Sequence, residues 1–372
     1  MKIAIDVTAT IYEGSGVGTY YRNLVPKLLL YGKEHTFIPF GYSLRSFGKL
    51  TMAKKKLPFP PKLMELLWNM LHILPVETLT GSCDIVHTWD YIQPPTKKAK
   101  IVTTIHDLTP LKFPKQHLPA TRAAYKAGLR WVKKEAAAVI ADSVATKQDI
   151  VEILNIPEKK VVVVYLAAPP EFSEFRKAME NTRNTTVREV KEKYGIQKEY
   201  LLSVGTHEPR KNIQRTIEAY SILQLDQELV IAGRFGWGEK ITPVPGVKPI
   251  GFVENKDLPA LYAGASLFLY PSLYEGFGLP VLEAMAVGCP VLTSDRGSLA
   301  EIAGSAAATV NPESAEAIAF GIRVALERSE ELRAKGIAQA EKFSWDETAR
   351  QTLKVYEGIL GGKVEMRIAE RA

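Results

Sequence analysis

Short apolar, β-rich runs at residues 2–7, 35–40, 84–88, 101–105, 138–141 and 161–164 are separated by segments of helical periodicity, such as 18–31, 119–135 and 143–154. Strands alternating with helices predict a parallel sheet with covered faces. The pattern then breaks. Ala168-Pro-Pro-Glu-Phe172 and the charged stretch 176–198 are poor core material and read as an interdomain linker. A second series follows, with strands expected at 200–204, 228–232, 266–270 and 290–293, and helices at 212–223, 279–286 and 314–326. Two further helical patterns, about 330–342 and 346–360, flank Phe343-Ser-Trp345. The expected organisation is a first α/β domain over 1–170, a linker over 171–197 and a second α/β domain over 198–343. Two such domains make a cleft, and ligands usually bind in clefts.

Composition narrows the class. The chain has 372 residues, enough for two cores, with 46% hydrophobic and 24% charged residues and a net charge of +7. That charge suits anionic ligands or a membrane face without proving either. The opening Met1-Lys-Ile-Ala-Ile-Asp6 reads as a strand and not as a signal peptide. The longest uncharged stretch lies between Asp257 and Glu275. It is too short to span a bilayer and contains Pro259 and Pro271. Cys83 and Cys289 have no metal or redox spacing, so a cytoplasmic setting is the default. No nucleic-acid partner is expected.

The most informative segment is Glu275-Gly276-Phe277-Gly278-Leu279-Pro-Val-Leu-Glu283, two carboxylates around a glycine loop and a helix start. Pro280 suits a first helical turn, where its missing N–H goes unnoticed. The free N–H groups of that helix and the positive end of its dipole make an anion site. A strand before it and a strand after it complete a βαβ unit with a phosphate-type turn. A ligand with hydroxyls at both ends and phosphate between them fits, and a nucleotide sugar has that shape.

Other loops point the same way. Gly14-Ser-Gly16-Val-Gly18 follows the first strand, but it lacks the dinucleotide spacing and its acidic ribose partner. It suits a backbone approach to phosphate or sugar, or a plain turn. In Ser203-Val-Gly205-Thr-His-Glu-Pro-Arg210-Lys211-Asn212, Asn212 reads as a helix N-cap, and Arg210 and Lys211 sit at the carboxyl edge of the sheet. A guanidinium fork beside an ammonium suits a diphosphate. His106 and Asp107 end one strand, and Asp142-Ser143 ends another, with Ser143 read as a helix cap.

Taken together these residues resemble glycosyltransferase family 4, the retaining GT-B enzymes. The likeness covers nearly the whole chain. It implies two Rossmann-like domains facing each other across a cleft, with the C-terminal helix, about 344–372, crossing back to the first. It implies that Arg210 and Lys211 hold the donor diphosphate, that Glu283 binds the ribose and that Glu275 binds donor-sugar hydroxyls. Gly276 to Leu279, including Phe277 and Gly278, would offer backbone N–H groups, with Gly205 at the same edge. His106 would lie beside the donor sugar, and Gly16 near the reaction centre. On this view His106, Glu275, Arg210 and Lys211 are the catalytic residues and no metal is required. The wording around His106 and around Gly205–Asn212 is similar to bacterial mannosyltransferases of polysaccharide assembly. GDP-mannose is therefore the expected donor, and a glycan or lipid-linked glycan the acceptor. UDP-glucose-type donors, an epimerase and a non-catalytic nucleotide-sugar-binding subunit remain alternatives.

One stretch stands apart. Between Arg45 and Lys62 lie Lys49, Lys54, Lys55 and Lys56, with no acidic residue, followed by the apolar helical run Leu63-Met-Glu-Leu-Leu-Trp68-Asn-Met-Leu71. Residues 45–71 read either as an interfacial segment for an anionic membrane surface or as a solvated basic loop beside a buried helix. The first reading makes the protein peripheral on the inner membrane face.

Overall fold

The computed structural model describes residues 1–179, 185–236, 241 and 243–361. The chain divides into two units, Met1–Leu166 joined by the chain from Trp345 onward, and Ala167–Ser344.

The first unit holds a parallel sheet of β1 (Lys2–Asp6), β2 (Thr36–Tyr42), β3 (Lys55–Leu57), β4 (Ile85–Trp89), β5 (Lys100–Ile105), β6 (Ala136–Ala141) and β7 (Val161–Val163). Their order is β3-β2-β1-β4-β5-β6-β7. The central strands bury both faces, as helix-covered parallel sheets must, and β1 shows only Lys2 to solvent. The order reverses between β1 and β4, and open α/β sheets bind ligands at the carboxyl ends of the strands beside such a point.

The second unit repeats the plan. Its strands are β8 (Tyr200–Val204), β9 (Glu228–Ala232), β10 (Val247–Gly251), β11 (Leu267–Tyr270), β12 (Val291–Ser294) and β13 (Ala308–Val310). The order β10-β9-β8-β11-β12-β13 places its reversal between β8 and β11. These are two Rossmann-like units. The expected strands and helices are present with ends shifted by a residue or two. Ser143 caps its helix by accepting from the Thr146 N–H at 3.0 Å.

β3, β10 and β13 escaped the sequence pattern. β3 and β13 are three residues long, and β10 reads Val-Lys-Pro-Ile-Gly with none of its residues buried. They are edge strands, and edges carry little hydrophobic signal.

Residues 171–197 are not a linker. Most of them fold as helices Pro170–Met179 and Thr185–Lys193 within the second unit. Their charge misled the sequence reading, because each helix buries one narrow stripe, through Phe172 and through Val187 and Val190. The passage between units falls at Leu166 and Ala167 instead.

The helix Trp345–Leu360 belongs to the first unit. Lys27 pairs with Asp346 at 2.7 Å, and Thr348 Oγ1 donates to the Tyr165 carbonyl at 2.8 Å. Deeper, a polar chain crosses the core. The Tyr356 hydroxyl meets His87 Nδ1 at 2.5 Å, His87 Nε2 meets Thr104 Oγ1 at 2.7 Å, and Thr104 Oγ1 meets the Tyr20 hydroxyl at 3.2 Å. Burial, with the charge of His106 second, pushes the His87 pKa down to about 3.

Segment 45–71 is more ordered than a solvated loop. Lys55 and Lys56 lie in β3, Lys54 Nζ reaches the Phe37 carbonyl at 3.3 Å, and Leu50, Met64 and Trp68 are fully buried. No helix among the described residues is long and apolar enough to cross a membrane.

Two outcomes follow from the His87 chain. Tyr356→Phe leaves His87 Nδ1 unpaired in the core and is expected to cost about 1–3 kcal/mol in chemical denaturation. His87 in the unfolded chain titrates near 6.5, above its folded value. Its contribution is therefore intact above pH 6.5 and drains as pH falls toward 3. Thermal melts of wild type against His87→Gln should differ in acid slope over that window, and identical slopes would remove His87 from the account.

Candidate active site

Two loops leave the second sheet side by side, one after β8 and one after β11. The first opens at Gly205, whose φ of +149° suits glycine alone. Gly233 ends β9 beside it with a φ of +148°. A Cβ on Gly233 would stand 1.8 Å from the Gly205 carbonyl oxygen, so both strand ends need to be bare. The loop then makes a 3-10 turn, Pro209–Lys211, that aims Arg210 and Lys211 at the β11 loop. Asn212 does not cap with its side chain as expected. It adopts a left-handed backbone, and its amide donates to the carbonyls of Pro271 (2.9 Å) and Pro312 (2.6 Å). Asn212 thus ties this loop to the two that follow β11 and β13.

Glu275 is where the loops meet. Its Oε2 accepts from Arg210 Nη1 at 2.5 Å, and its Oε1 pairs with Lys211 Nζ at 2.7 Å. Arg210 Nη2 also pairs with Glu208 at 2.6 Å, and Lys211 donates to the Tyr270 hydroxyl. The backbone agrees, with Leu273 N–H donating to the Arg210 carbonyl at 2.8 Å and Ser298 Oγ to the Glu275 carbonyl at 2.7 Å. Burial alone would raise Glu275. Arg210 and Lys211 reverse this and hold its pKa at about 2. Burial and the neighbouring guanidinium lower Lys211. Two cations therefore face two carboxylates in a nearly dry site, with no surplus charge.

Beyond Glu275 the chain runs through buried Gly276 and Phe277 to Gly278, at a φ of +111°, and into the helix Leu279–Ala286 with Pro280 in its first turn. No side chain caps this end. Glu283, one turn in, accepts from the Tyr262 hydroxyl at 3.1 Å. Burial raises its pKa to about 7, against the pull of Tyr262. The two carboxylates of the motif thus differ sharply. Glu275 is a permanent anion and Glu283 is poised near neutrality.

The first unit carries a separate constellation. His106 follows β5, and its Nδ1 meets Asp142 Oδ2 at 2.6 Å after β6. The His106 N–H donates to Asp90 Oδ1 at 2.9 Å after β4, where Asp90 takes a φ of +47°. Burial opposes a charged imidazole, but Asp142 with Asp90 and Asp107 pushes the pKa up to about 9. The Tyr20 ring stands edge-on at 4.9 Å, and Nε2 is buried without a hydrogen-bond partner among the described residues. His106 is thus an imidazolium with one nitrogen held and the other buried and unpaired among the described residues. Gly16 begins the helix Gly16–Tyr31 behind the Ser15 cap, with nothing within 4 Å of where its Cβ would stand. Gly18 is the glycine of this loop that packing demands, because a Cβ there would stand 2.9 Å from the Ala9 carbonyl oxygen.

Sequence reading missed Glu208, Gly233, Tyr262, Tyr270 and Asp90. Gly233 had a visible signal, a glycine ending its strand as Gly205 ends β8. The others are ordinary residues whose role appears only through their partners.

The chain matches two family descriptions, "Glycosyltransferase Family 4" over residues 14–172 and "Glycosyl transferases group 1" over 186–343. It is 33% identical over 280 residues to O-antigen chain mannosyltransferase B of Escherichia coli, covering 71% of each chain. The chain is a family 4 glycosyltransferase. The enzyme is also 32% identical over 290 residues to the serotype-specific mannosyltransferase WbdA of Escherichia coli, which covers 72% of this chain but only 34% of WbdA. A glycosyltransferase from Rickettsia africae ESF-5 has the same fold, with a TM-score of 0.70 at 19% identity over 96% of this chain and 98% of its own. WaaG, a glycosyltransferase involved in lipopolysaccharide biosynthesis, also scores 0.70, at 15% identity over 96% and 100%. The fold is GT-B.

Glu275 makes the site interdependent. Glu275→Ala removes the carboxylate shared by Lys211 and Arg210, of which Arg210 keeps Glu208, and is expected to cost about 3 kcal/mol of second-unit stability in denaturant titration, even without donor. Unchanged stability would mean that water already compensates Arg210 and Lys211.

Proposed function

We propose that the enzyme moves mannose from GDP-mannose to a hydroxyl of a glycan or lipid-linked glycan, with retention at the anomeric carbon. The observation that carries this reading is the Arg210–Lys211–Glu275 cluster at the carboxyl ends of β8 and β11, with Glu283 one helical turn beyond. The named mannosyltransferase relatives support the choice of sugar.

In this mechanism the donor diphosphate draws Arg210 and Lys211 into new charge-assisted bonds while Glu275 turns an oxygen to the sugar hydroxyls. The C1–O bond to the β-phosphate breaks, and its electron pair leaves with the nucleoside diphosphate. Arg210, Lys211 and the helix beginning at Leu279 stabilise that charge, the kind of preorganised stabilisation that dominates many enzymes. The acceptor hydroxyl attacks the same face of the oxocarbenium-like sugar, and its proton passes to the departing phosphate oxygen. His106 offers Nε2–H to the substrate. Glu283 grips the ribose best as a carboxylate.

Four measurements test this. Turnover of GDP-mannose and not of UDP-glucose is expected in a donor panel, and the opposite preference ends the mannose assignment. Glu283→Ala is expected to weaken GDP binding at least tenfold, as loss of a charged hydrogen bond worth about 1.5–3 kcal/mol would. Glu275→Gln should spare GDP binding and damage transfer. With Glu283 titrating at about 7, GDP affinity should change differently between pH 6 and 8 in wild type than in Glu283→Gln, where the terminal phosphate of GDP still titrates but Glu283 does not. Transfer is also expected to persist in excess chelator, and loss reversed by magnesium or manganese would move the leaving-group charge onto a metal.

A further inference from the structure

The turn between the helix Gly16–Tyr31 and β2 packs closely against the C-terminal helix. Gly32 ends the first helix, and a Cβ there would stand 2.9 Å from Phe37 Cζ and 3.0 Å from Leu353 Cδ2. The chain then turns back, with the His35 N–H donating to the Gly32 carbonyl at 2.9 Å and the Thr36 N–H to the Met1 carbonyl at 2.8 Å. Glu34 and His35 are thus held where β2 begins. Leu353 lies in the helix Trp345–Leu360, and Glu357 follows it by one turn on the same face. Two carboxylates and an imidazole from distant parts of the chain therefore converge within the first unit.

Their geometry is not that of a simple ion pair. The His35 side chain is only 8% exposed, whereas Glu34 and Glu357 reach solvent. His35 Nε2 lies 3.1 Å from Glu34 Oε1 and 3.6 Å from Glu357 Oε1, and one ligand atom from each of the three residues lies within 4.8 Å of the others. Yet neither ring nitrogen has a hydrogen-bond partner among the described residues. At 3.1 Å the Glu34 oxygen is near enough to accept, so it is direction that fails: the oxygen lies off the line along which Nε2–H would donate. A metal ion asks for that displacement. A tetrahedral ion held at about 2.0–2.1 Å sits on the lone-pair axis of the imidazole and sets its other ligands to the sides, with ligand atoms about 3.3–3.4 Å apart. The two observed separations bracket that value.

We infer that Glu34, His35 and Glu357 form a zinc site that staples the C-terminal helix to the start of β2. One imidazole nitrogen with carboxylate oxygens suits zinc, whereas calcium and magnesium take more oxygens and no nitrogen. Three protein ligands leave the fourth position to water. The ion bonds the Nε2 lone pair of a neutral His35, which the buried ring otherwise leaves unused, and the two carboxylates balance its charge. Zinc that binds the folded chain and not the unfolded one stabilises the first unit by mass action. None of the three residues belongs to the proposed donor site, so the inference holds whichever sugar is transferred and stands or falls apart from that reading.

The test is calorimetric titration of the full chain, stripped with chelator and dialysed, with zinc chloride, together with thermal melts and the visible spectrum of the cobalt(II) form. One zinc per chain is expected, with the intense visible bands of tetrahedral cobalt. Free zinc at about a hundred times its Kd should raise the melting temperature of the first unit by roughly 5–10 °C. Glu34→Gln and Glu357→Gln should each weaken binding by more than the roughly 10–100-fold that loss of an outer-shell partner costs. Both should keep the zinc-free melting temperature, because both acids are exposed. His35→Gln should lose zinc as well, and the two glutamate variants decide the matter if the buried change prevents folding. His72→Gln, at the His72–Glu135 pair elsewhere in this unit, should bind zinc as wild type does. Absence of binding at one equivalent, or wild-type affinity in Glu357→Gln, overturns the inference. So does binding that His72→Gln removes, or a cobalt spectrum of octahedral type.

Discussion

A buried carboxylate needs partners, and Glu275 takes two. Burial raises the cost of its charge, and only the combined pull of Arg210 and Lys211 keeps it ionised. The arrangement of the second unit follows from that requirement. The loop after β8 must present both cations, so it turns through Pro209–Lys211 from a bare glycine pair. The loop after β11 must bring Glu275 to them, so its backbone is tied to Arg210 and to Ser298. Replacing Glu275 alone takes the carboxylate partner from Lys211, and breaking such a pair costs more than never having had it. The residues proposed to bind the donor are therefore also the ones that hold these two loops together.

The same cluster shapes the chemistry. Cations already neutralised by Glu275 and Glu208 do not offer a free positive patch. In the proposed mechanism donor phosphates enter by sharing Arg210 and Lys211 with Glu275, which would couple occupation of the phosphate site to the orientation of the sugar-side carboxylate. Such coupling suits an enzyme that stabilises charge developing on a leaving group, because the donors are held in place beforehand. Glu283 follows the opposite logic. With Tyr262 as its hydrogen-bond donor, its proton leaves near neutral pH. Across the two units, charge state is set locally by ion pairing at Glu275 and His106, and by burial at Glu283 and Asp90.

The first unit's C-terminal helix shows a related economy of means. Trp345–Leu360 follows the second unit in sequence yet packs into the first, anchored by Tyr356 on His87 and by Thr348 on Tyr165. Polar contacts inside a core cost more to leave unmade than they return when made, so they favour one arrangement over its neighbours. The outward side of residues 63–73 is the converse case, apolar surface at Leu63, Leu66, Met70, Leu71 and Ile73 that packing leaves uncovered.

The sequence by itself determined the alternation of strands and helices, and with it two parallel sheets. It also marked the loops proposed to carry chemistry, because glycine at a strand end, proline in a first turn and paired charges are local signals. Helices Pro119–Glu135 and Leu279–Ala286 and strands β8 and β9 were legible to the residue. The edge strands were not, because edges bury little. Nor were the helices within 171–197, where a one-sided apolar stripe is hidden among charges. Tertiary structure alone decided that Asn212 braces two proline carbonyls rather than capping its helix, that Arg210 and Lys211 share Glu275, and that Glu208 and Tyr270 complete the cluster. It alone decided that Trp68 turns inward and Leu66 outward. The reason is range. Propensity and periodicity act over a few residues, whereas an ion pair between Lys211 and Glu275, or a hydrogen bond from Tyr356 to His87, joins positions that only the folded chain brings together.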